Sequence, residues 1–283
     1  MTKNARRIFF YLGLLIFISA SYIAIVYAQG YKYSFKEQRF LHTGTIQLKV
    51  NDDAKVFIND ELDGTTSLFG NSHTISGLLP ANYIVRLDRE GFTPWQKTVT
   101  VQEGYITDFP RIIILPMSEA EAPKLLEEFE KLLLSVNVVI AIPPSSPVPK
   151  TTSRTTRSSS PGITASVSAS PISDEIFILE NKTLYTNKDG TLTLYAPNVA
   201  GFSISDNGRK ILWWNDRDVW VGWLHDTDYQ PYHKTGDREL ITRFAATIKK
   251  AAWFRGEDHI LADTNGYKIV EIDKRGGINI IKL

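Results

Sequence analysis

Cysteine is absent from all 283 residues. That excludes disulfides, thiol nucleophiles and Cys-ligated zinc or iron–sulfur centres, and it leaves the compartment open, because an exported chain with a large enough core needs no cross-links. An excess of one charge is also missing. Lys and Arg total 32 against 31 Asp and Glu, a net charge of +1, a balance that argues against a dedicated nucleic-acid binder. Histidine is scarce, at five residues, and the chain has no G-x-S-x-G, no phosphate-cradling glycine loop and no H-E-x-x-H. No enzymatic activity and no cofactor are therefore expected. Apolar residues are plentiful at 43%, with 6 Trp, 12 Tyr and 14 Phe. At roughly 100 to 200 residues per domain, the length suits one or two packed domains.

Residues 8–28 (IFFYLGLLIFISASYIAIVYA) run without a charge. A helix of that length crosses a hydrocarbon layer of about 30 Å. Lys3, Arg6 and Arg7 precede it and no acidic residue occurs before Glu37, so the positive-inside rule keeps residues 1–7 in the cytoplasm and exports the rest as a single-pass protein. Tyr27, Tyr31 and Tyr33 suit the outer interface. A cleaved signal peptide is the competing reading, with Val26-Tyr27-Ala28 as its small-residue site. The apolar run exceeds the usual h-region and favours an uncleaved signal anchor; either reading exports the remainder. Seven residues are too few to fold as a cytoplasmic output domain. The partner expected here is the lipid bilayer, reached through this helix, and 29–42 is a juxtamembrane segment.

From 43 to 116 apolar residues alternate with polar ones, the period of half-buried strands. Strands are predicted at 45–50, 55–59, 74–78, 83–88, 96–101 and 108–115, separated by turn chemistry at 51–53, Asp63-Gly64, Gly70-Asn71, 80–82, Glu90-Gly91 and Glu103-Gly104. The plain reading is a small antiparallel β-sandwich. Val56-Phe57-Ile58-Asn59, then Leu78-Leu79-Pro80-Ala81-Asn82-Tyr83, then Gly91-Phe92-Thr93-Pro94-Trp95 follow one another in an order that resembles the PEGA domain, a β-sandwich module of bacterial and archaeal surface proteins. The resemblance covers about 70 residues and rests on Asn59, Leu79, Pro80, Asn82, Tyr83, Gly91 and Trp95. It implies a non-catalytic surface spacer or adhesion-type module. Ala81 stands where that family usually has Gly; if the turn needs a positive φ, Asn82 is the residue suited to it.

Residues 118–136 place Leu125, Leu126, Phe129, Leu132, Leu133 and Val136 at helical spacing with Glu127, Glu128, Glu130 and Lys131 on the wet face. Ser118 with Glu121 fits a capping box, and Pro123 sets the regular helix to begin near Ala122. Two heptads are too few for a coiled coil, so packing on its own domain is favoured over self-association. Between 143 and 173, 21 of 31 residues are Ser, Thr or Pro, which predicts that 137–173 is a disordered linker.

From 174 to 283 short strands return. Ser203-Ile204-Ser205, Lys210-Ile211-Leu212 and Val219-Trp220-Val221 recur 49 residues later as Ala252-Trp253-Phe254, His259-Ile260-Leu261 and Lys268-Ile269-Val270. That period lies near one four-stranded propeller blade. Residues 202–211 (FSISDNGRKI) resemble the blade signature of TolB-like and related β-propellers, and 185–191 look like the outer hairpin of an earlier blade. The strands number about three, four and four, short of the four blades of a closed ring. A truncated propeller, a ring completed by another chain, and an open sheet all remain. The fold class expected is mainly β: a transmembrane helix, a small antiparallel sandwich, then partial propeller-like repeats of antiparallel sheets.

Trp213, Trp214, Trp220, Trp223 and Trp253 lie in this last region. Strands apolar on both faces point to core, and Trp213 and Trp223 are the candidates for an exposed surface that stacks on sugar rings. His225, Asp226, Asp228, His233 and Asp237 are the only loop with the composition of a metal site, but their spacing matches no ligand signature, so no metal is expected. The function expected is non-enzymatic: an envelope protein that displays β modules and binds peptidoglycan, surface polysaccharide or a surface-layer protein. The alternatives are a subunit whose propeller is completed by oligomerisation with a partner chain, and an accessory of an extracytoplasmic hydrolase.

Overall fold

The computed structural model describes residues 3–67, 69–118, 120–136, 166–169 and 176–283, with 166–169 described by their backbone alone. The chain divides into two compact units, Met1–Leu115 and Pro116–Leu283. It is mainly β, in several small sheets, with one long apolar helix at the N-terminus.

In the first unit, α1 (Lys3–Ala28) buries none of its residues. It is long and apolar enough to cross a membrane. A hairpin follows at once, β1 (Tyr31–Ser34) with β2 (Arg39–His42). Then come β3 (Gly44–Val50), β4 (Lys55–Ile58), β5 (Glu61–Thr65), β6 (Ser72–Leu78), β7 (Ala81–Asp88), β8 (Trp95–Val101) and β9 (Ile106–Ile112). These form two sheets, ordered β6-β3-β9 and β5-β4-β7-β8. Their alternating apolar faces share one core that includes Ile46, Leu48, Val56, Val85, Leu87, Trp95, Phe109 and Ile114. In β8 the alternation is strict, and Lys97 takes a buried position between Trp95 and Val99.

Two features depart from the expected antiparallel sandwich. First, β9 runs parallel to β3. The turn at 102–105 carries the chain from one sheet to the other, so β9 enters beside β3, and Thr45 N–H bonds the Tyr105 carbonyl at 3.0 Å. Second, Asp63-Gly64 is not a turn but lies within β5. The turn is Asn59-Asp60, with φ of 48° and 68°, the two positive values of a two-residue type I′ hairpin. Gly64 has a packing reason instead: a Cβ there would sit 2.8 Å from the His73 ring.

In the second unit, α2 (Ala122–Ser135) carries Pro123 in its first turn, and its N-cap is Glu121 in helical conformation with no side-chain cap. The expected capping box does not form; the Ser118 carbonyl accepts from the Glu121 and Ala122 amides. Among the described residues, twelve strands follow in three four-stranded antiparallel sheets, each in chain order. The first is β10 (Ser166–Ala169), β11 (Ile176–Glu180), β12 (Thr183–Lys188) and β13 (Thr191–Pro197). The second is β14 (Gly201–Ile204), β15 (Lys210–Trp214), β16 (Asp218–Trp223) and β17 (Arg238–Arg243). The third is β18 (Lys250–Trp253), β19 (His259–Thr264), β20 (Gly266–Glu271) and β21 (Ile280–Lys282).

The first sheet has four strands rather than three because β10, inside the expected linker, pairs with β11 from Ser166↔Leu179 to Ala169↔Ile176. The remainder of that linker, 137–165 and 170–173, lies outside the described residues. The 49-residue repeat is structural: Ser205 N–H to Lys210 O recurs as Phe254 N–H to His259 O, and Ala200 N–H to Trp214 O recurs as Lys249 N–H to Asp263 O. Every residue of β15 is buried. Ile211 and Trp213 pack toward the first sheet, Leu212 and Trp214 toward the third. On the third sheet lies α2, burying Leu125, Phe129 and Leu133. Phe129 meets Phe254 and Tyr267 edge-on at 5.6 and 5.3 Å. Glu128 receives a two-pronged bond from Arg255 at 3.0 and 2.8 Å.

Candidate functional site

The seven motif residues of the first unit are used within its fold. Asn59 ties β4 to β7 in both directions: its amide donates to Ile84 O at 2.8 Å and its Oδ1 accepts from Ile84 N at 2.9 Å. Tyr83 Oη donates to the carbonyl of Leu79, the residue before Pro80, at 2.9 Å, and burial pushes its pKa up. Asn82 Oδ1 accepts from Thr100 at 2.8 Å. Neither Ala81 nor Asn82 has a positive φ; Gly77 and Gly91 do, at 72° and 76°, so the turn has no need of Asn82 in the left-handed region. Trp95 is core, edge-on to Phe109 at 5.5 Å. None of the seven lines the cavity of about 500 Å³ on this unit, whose walls include Lys55, Phe57, Asp88 and Arg89.

Trp213 and Trp223 are corrected as a binding surface. They are 5% and 2% exposed, because the sheets on either side of β15 and β16 close over them. Trp220 is the half-buried tryptophan of this pair of strands, lying parallel to Trp213 at 6.0 Å. Trp223 instead stacks on His233, 3.6 Å away and tilted by 13°.

That stack sits under the long β16–β17 loop, the histidine- and aspartate-rich segment. Its carboxylates are taken up within the loop and by Arg209 of the neighbouring β14–β15 turn. Asp226 takes Lys234 Nζ at 2.7 Å and the Thr235 amide at 2.8 Å, which lowers its pKa to about 2. Asp228 faces Arg209 at 3.4 Å. His233 is 3.7 Å from Asp237, and burial lowers its pKa. No three His, Asp or Glu side chains are grouped to hold a metal among the described residues.

Two polar constellations were not apparent from sequence. The first closes the groove between the second and third sheets. Lys210, 1% exposed, donates from Nζ to Tyr229 Oη at 2.8 Å, Asp258 Oδ1 at 2.8 Å and Glu257 O at 3.1 Å. Tyr229 Oη in turn lies 3.0 Å from Glu257 Oε1 and 2.8 Å from Asp258 Oδ1. A charge this deep persists only when paired and hydrogen-bonded. The one sequence signal was a lysine leading into the apolar run Ile211–Trp214.

The second lines a cavity of about 440 Å³ where the β11–β12 turn, the link after β13 and the β15–β16 turn meet. Arg243 clamps Asp218 at 2.5 and 2.9 Å, and that bond, with help from Asn215, holds the Asp218 pKa low. Lys182 and Arg217 project into the same cavity with no side-chain bond among the described residues. Asn198 and Asp216 complete the polar wall. This lining is not a device of the repeat: 49 residues on, Arg217 and Asp218 become Gly266 and Tyr267. Two unpaired cations beside an amide and a carboxylate suit an oxyanion flanked by hydroxyls.

No protein-family model and no curated protein matches the chain.

Proposed function

We propose that this chain is a non-enzymatic, membrane-anchored envelope protein that displays two β units outside the membrane, the first a PEGA-like module and the second a set of propeller-type blades. The observation that carries the reading is α1, 26 residues with none buried, joined to folded β structure by only two residues. A helix apolar all round belongs in lipid. The anchor is favoured over a cleaved signal because the candidate cleavage site is built into the fold. Tyr27 packs edge-on against Phe40 at 6.4 Å, and Gly30, with φ of 86°, ends the helix through its bond to the Tyr27 carbonyl.

The binding partner in this reading is an anionic envelope polymer, taken up by the cavity around Lys182, Arg217 and Arg243. Its test is co-sedimentation of the full chain, in detergent micelles, with isolated wall material. Pelleting at low salt that falls with added salt is expected. The Lys182→Glu, Arg217→Glu double variant should bind about tenfold more weakly, the factor that ~1.4 kcal/mol of lost ion pairing gives. No pelleting at either salt would overturn the wall-binding reading. A second reading, a subunit that completes its ring with a partner chain, is favoured by one observation: Ile176, Leu192 and Leu194 of the first sheet are 37, 56 and 57% exposed, whereas the third sheet is covered by α2. Concentration-dependent association without pelleting would support it.

A further inference from the structure

We infer that the β1–β2 hairpin is a membrane foot: its aromatic face lies in the lipid interface beside the end of α1 and holds the first β unit against the bilayer. The inference rests on the anchor reading of α1 and adds a second contact to it.

The register pairs Tyr33 with Phe40 and Tyr31 with His42, so these four share one face of the hairpin. On the opposite face Leu41 and Ser34 are buried, at 2 and 6% exposure, beside exposed Lys32 and Arg39. On the outward face the rings form a chain. Tyr27, in the last turn of α1, meets Phe40 at 6.4 Å; Phe40 meets Tyr33 at 5.3 Å; Tyr33 meets Phe35 at 5.2 Å. Phe35, at the tip, is 88% exposed and Phe40 is 36% exposed. The contact with Tyr33 leaves most of the Phe35 ring in solvent, whereas aromatic rings at the edge of a membrane span sit at headgroup level. The contact with Tyr27 puts this face level with the outer end of the span. Lys36, next to Phe35 and free of any side-chain bond among the described residues, suits lipid phosphate.

The hairpin is fixed at its base. Thr43 donates its amide and its hydroxyl to Gly30 O, each at 2.8 Å, closing the hairpin onto the helix end. His42 N–H donates to Glu103 Oε1 at 2.9 Å, tying it to the turn before β9. Residues 29–42 are therefore a clasp and not a free spacer.

The absence of cysteine allows single-site labelling. Ile18→Cys, Lys36→Cys and Thr191→Cys chains, each carrying an environment-sensitive nitrobenzoxadiazole, are placed in phosphatidylcholine–phosphatidylglycerol vesicles containing shallow or deep nitroxide lipids. Position 18 is expected to be quenched by deep nitroxides and position 191 by neither. Position 36 is expected to be blue-shifted and quenched at least twofold more by shallow than by deep nitroxides, and to lose that quenching in a Phe35→Ser, Lys36→Cys chain. Position 36 behaving like 191, with 18 still quenched deep, overturns the foot and leaves the anchor intact. Position 18 unquenched overturns the anchor and the foot together.

Discussion

At the scale of single residues, His233 shows how burial turns a side chain's chemistry toward stability. Stacked on Trp223 and partly withdrawn from water, it favours the neutral imidazole, so its folded pKa lies below the ordinary 6.5. The unfolded chain then binds the proton more readily than the folded one. The stabilisation is complete above the unfolded value and is lost as pH falls through the folded one. Asp218, held low by Arg243, acts in the same direction below its ordinary 3.8. Denaturant midpoints should therefore fall in two steps on acidification, and His233→Phe, which keeps a ring on Trp223, should abolish the step just below pH 6.5 while sparing the one below 3.8. A variant with the unaltered first step would show that His233 is not its source. Side chains like these were the least legible part of the sequence. The histidine–aspartate segment had the composition of a metal loop, but composition does not say that Asp226 is already taken by Lys234 and Thr235. Trp213 and Trp223 had the chemistry of a sugar platform, and only the sheets on either side decide that they are core.

At the scale of elements, strand period carried further. Alternation located six strands of the first unit to within one to three residues, and the 49-residue offset became the same backbone bonds in the second and third sheets. What misled was turn chemistry. Asp63-Gly64 has the stronger hairpin composition, but Asn59 can bond Ile84 on the neighbouring strand in both directions, and that non-local pair places the turn four residues earlier. Likewise β10 is paired only because β11 offers it an edge, a fact absent from its Ser-Val-Ser-Ala sequence. The contact between the second and third sheets supplies a prediction at this scale. Lys210 opens β15 of one sheet and neutralises carboxylates in the β18–β19 turn of the other, Glu257 and Asp258. Removing it strands those charges. Lys210→Ala should lower unfolding stability by about 3 to 5 kcal/mol, the cost of breaking a buried pair from one side. Lys210→Ala, Asp258→Ala together should cost less than the sum of the two single variants. Additive losses in calorimetry would mean that the pair does not act as a unit.

At the scale of the whole molecule, the feature that organises the account is the contrast between α1, with no buried residue, and β units that each close around their own core. The exposed apolar helix was fully legible in sequence, since 21 uncharged residues need no tertiary information to be read. The clasp that follows it was legible only as tyrosines suited to the outer interface, because its aromatic face exists only once Tyr33 and Phe40 are paired. An envelope display protein needs both parts: a span that fixes location and folded units presented on the far side. The most direct measurement is labelling of the Thr191→Cys chain in intact cells with a membrane-impermeant maleimide, followed by fractionation. The label is expected to enter without lysis, and the labelled chain to pellet with membranes while retaining residues 1–28. Labelling only after lysis, or a labelled chain recovered soluble and shortened at Ala28, would contradict it.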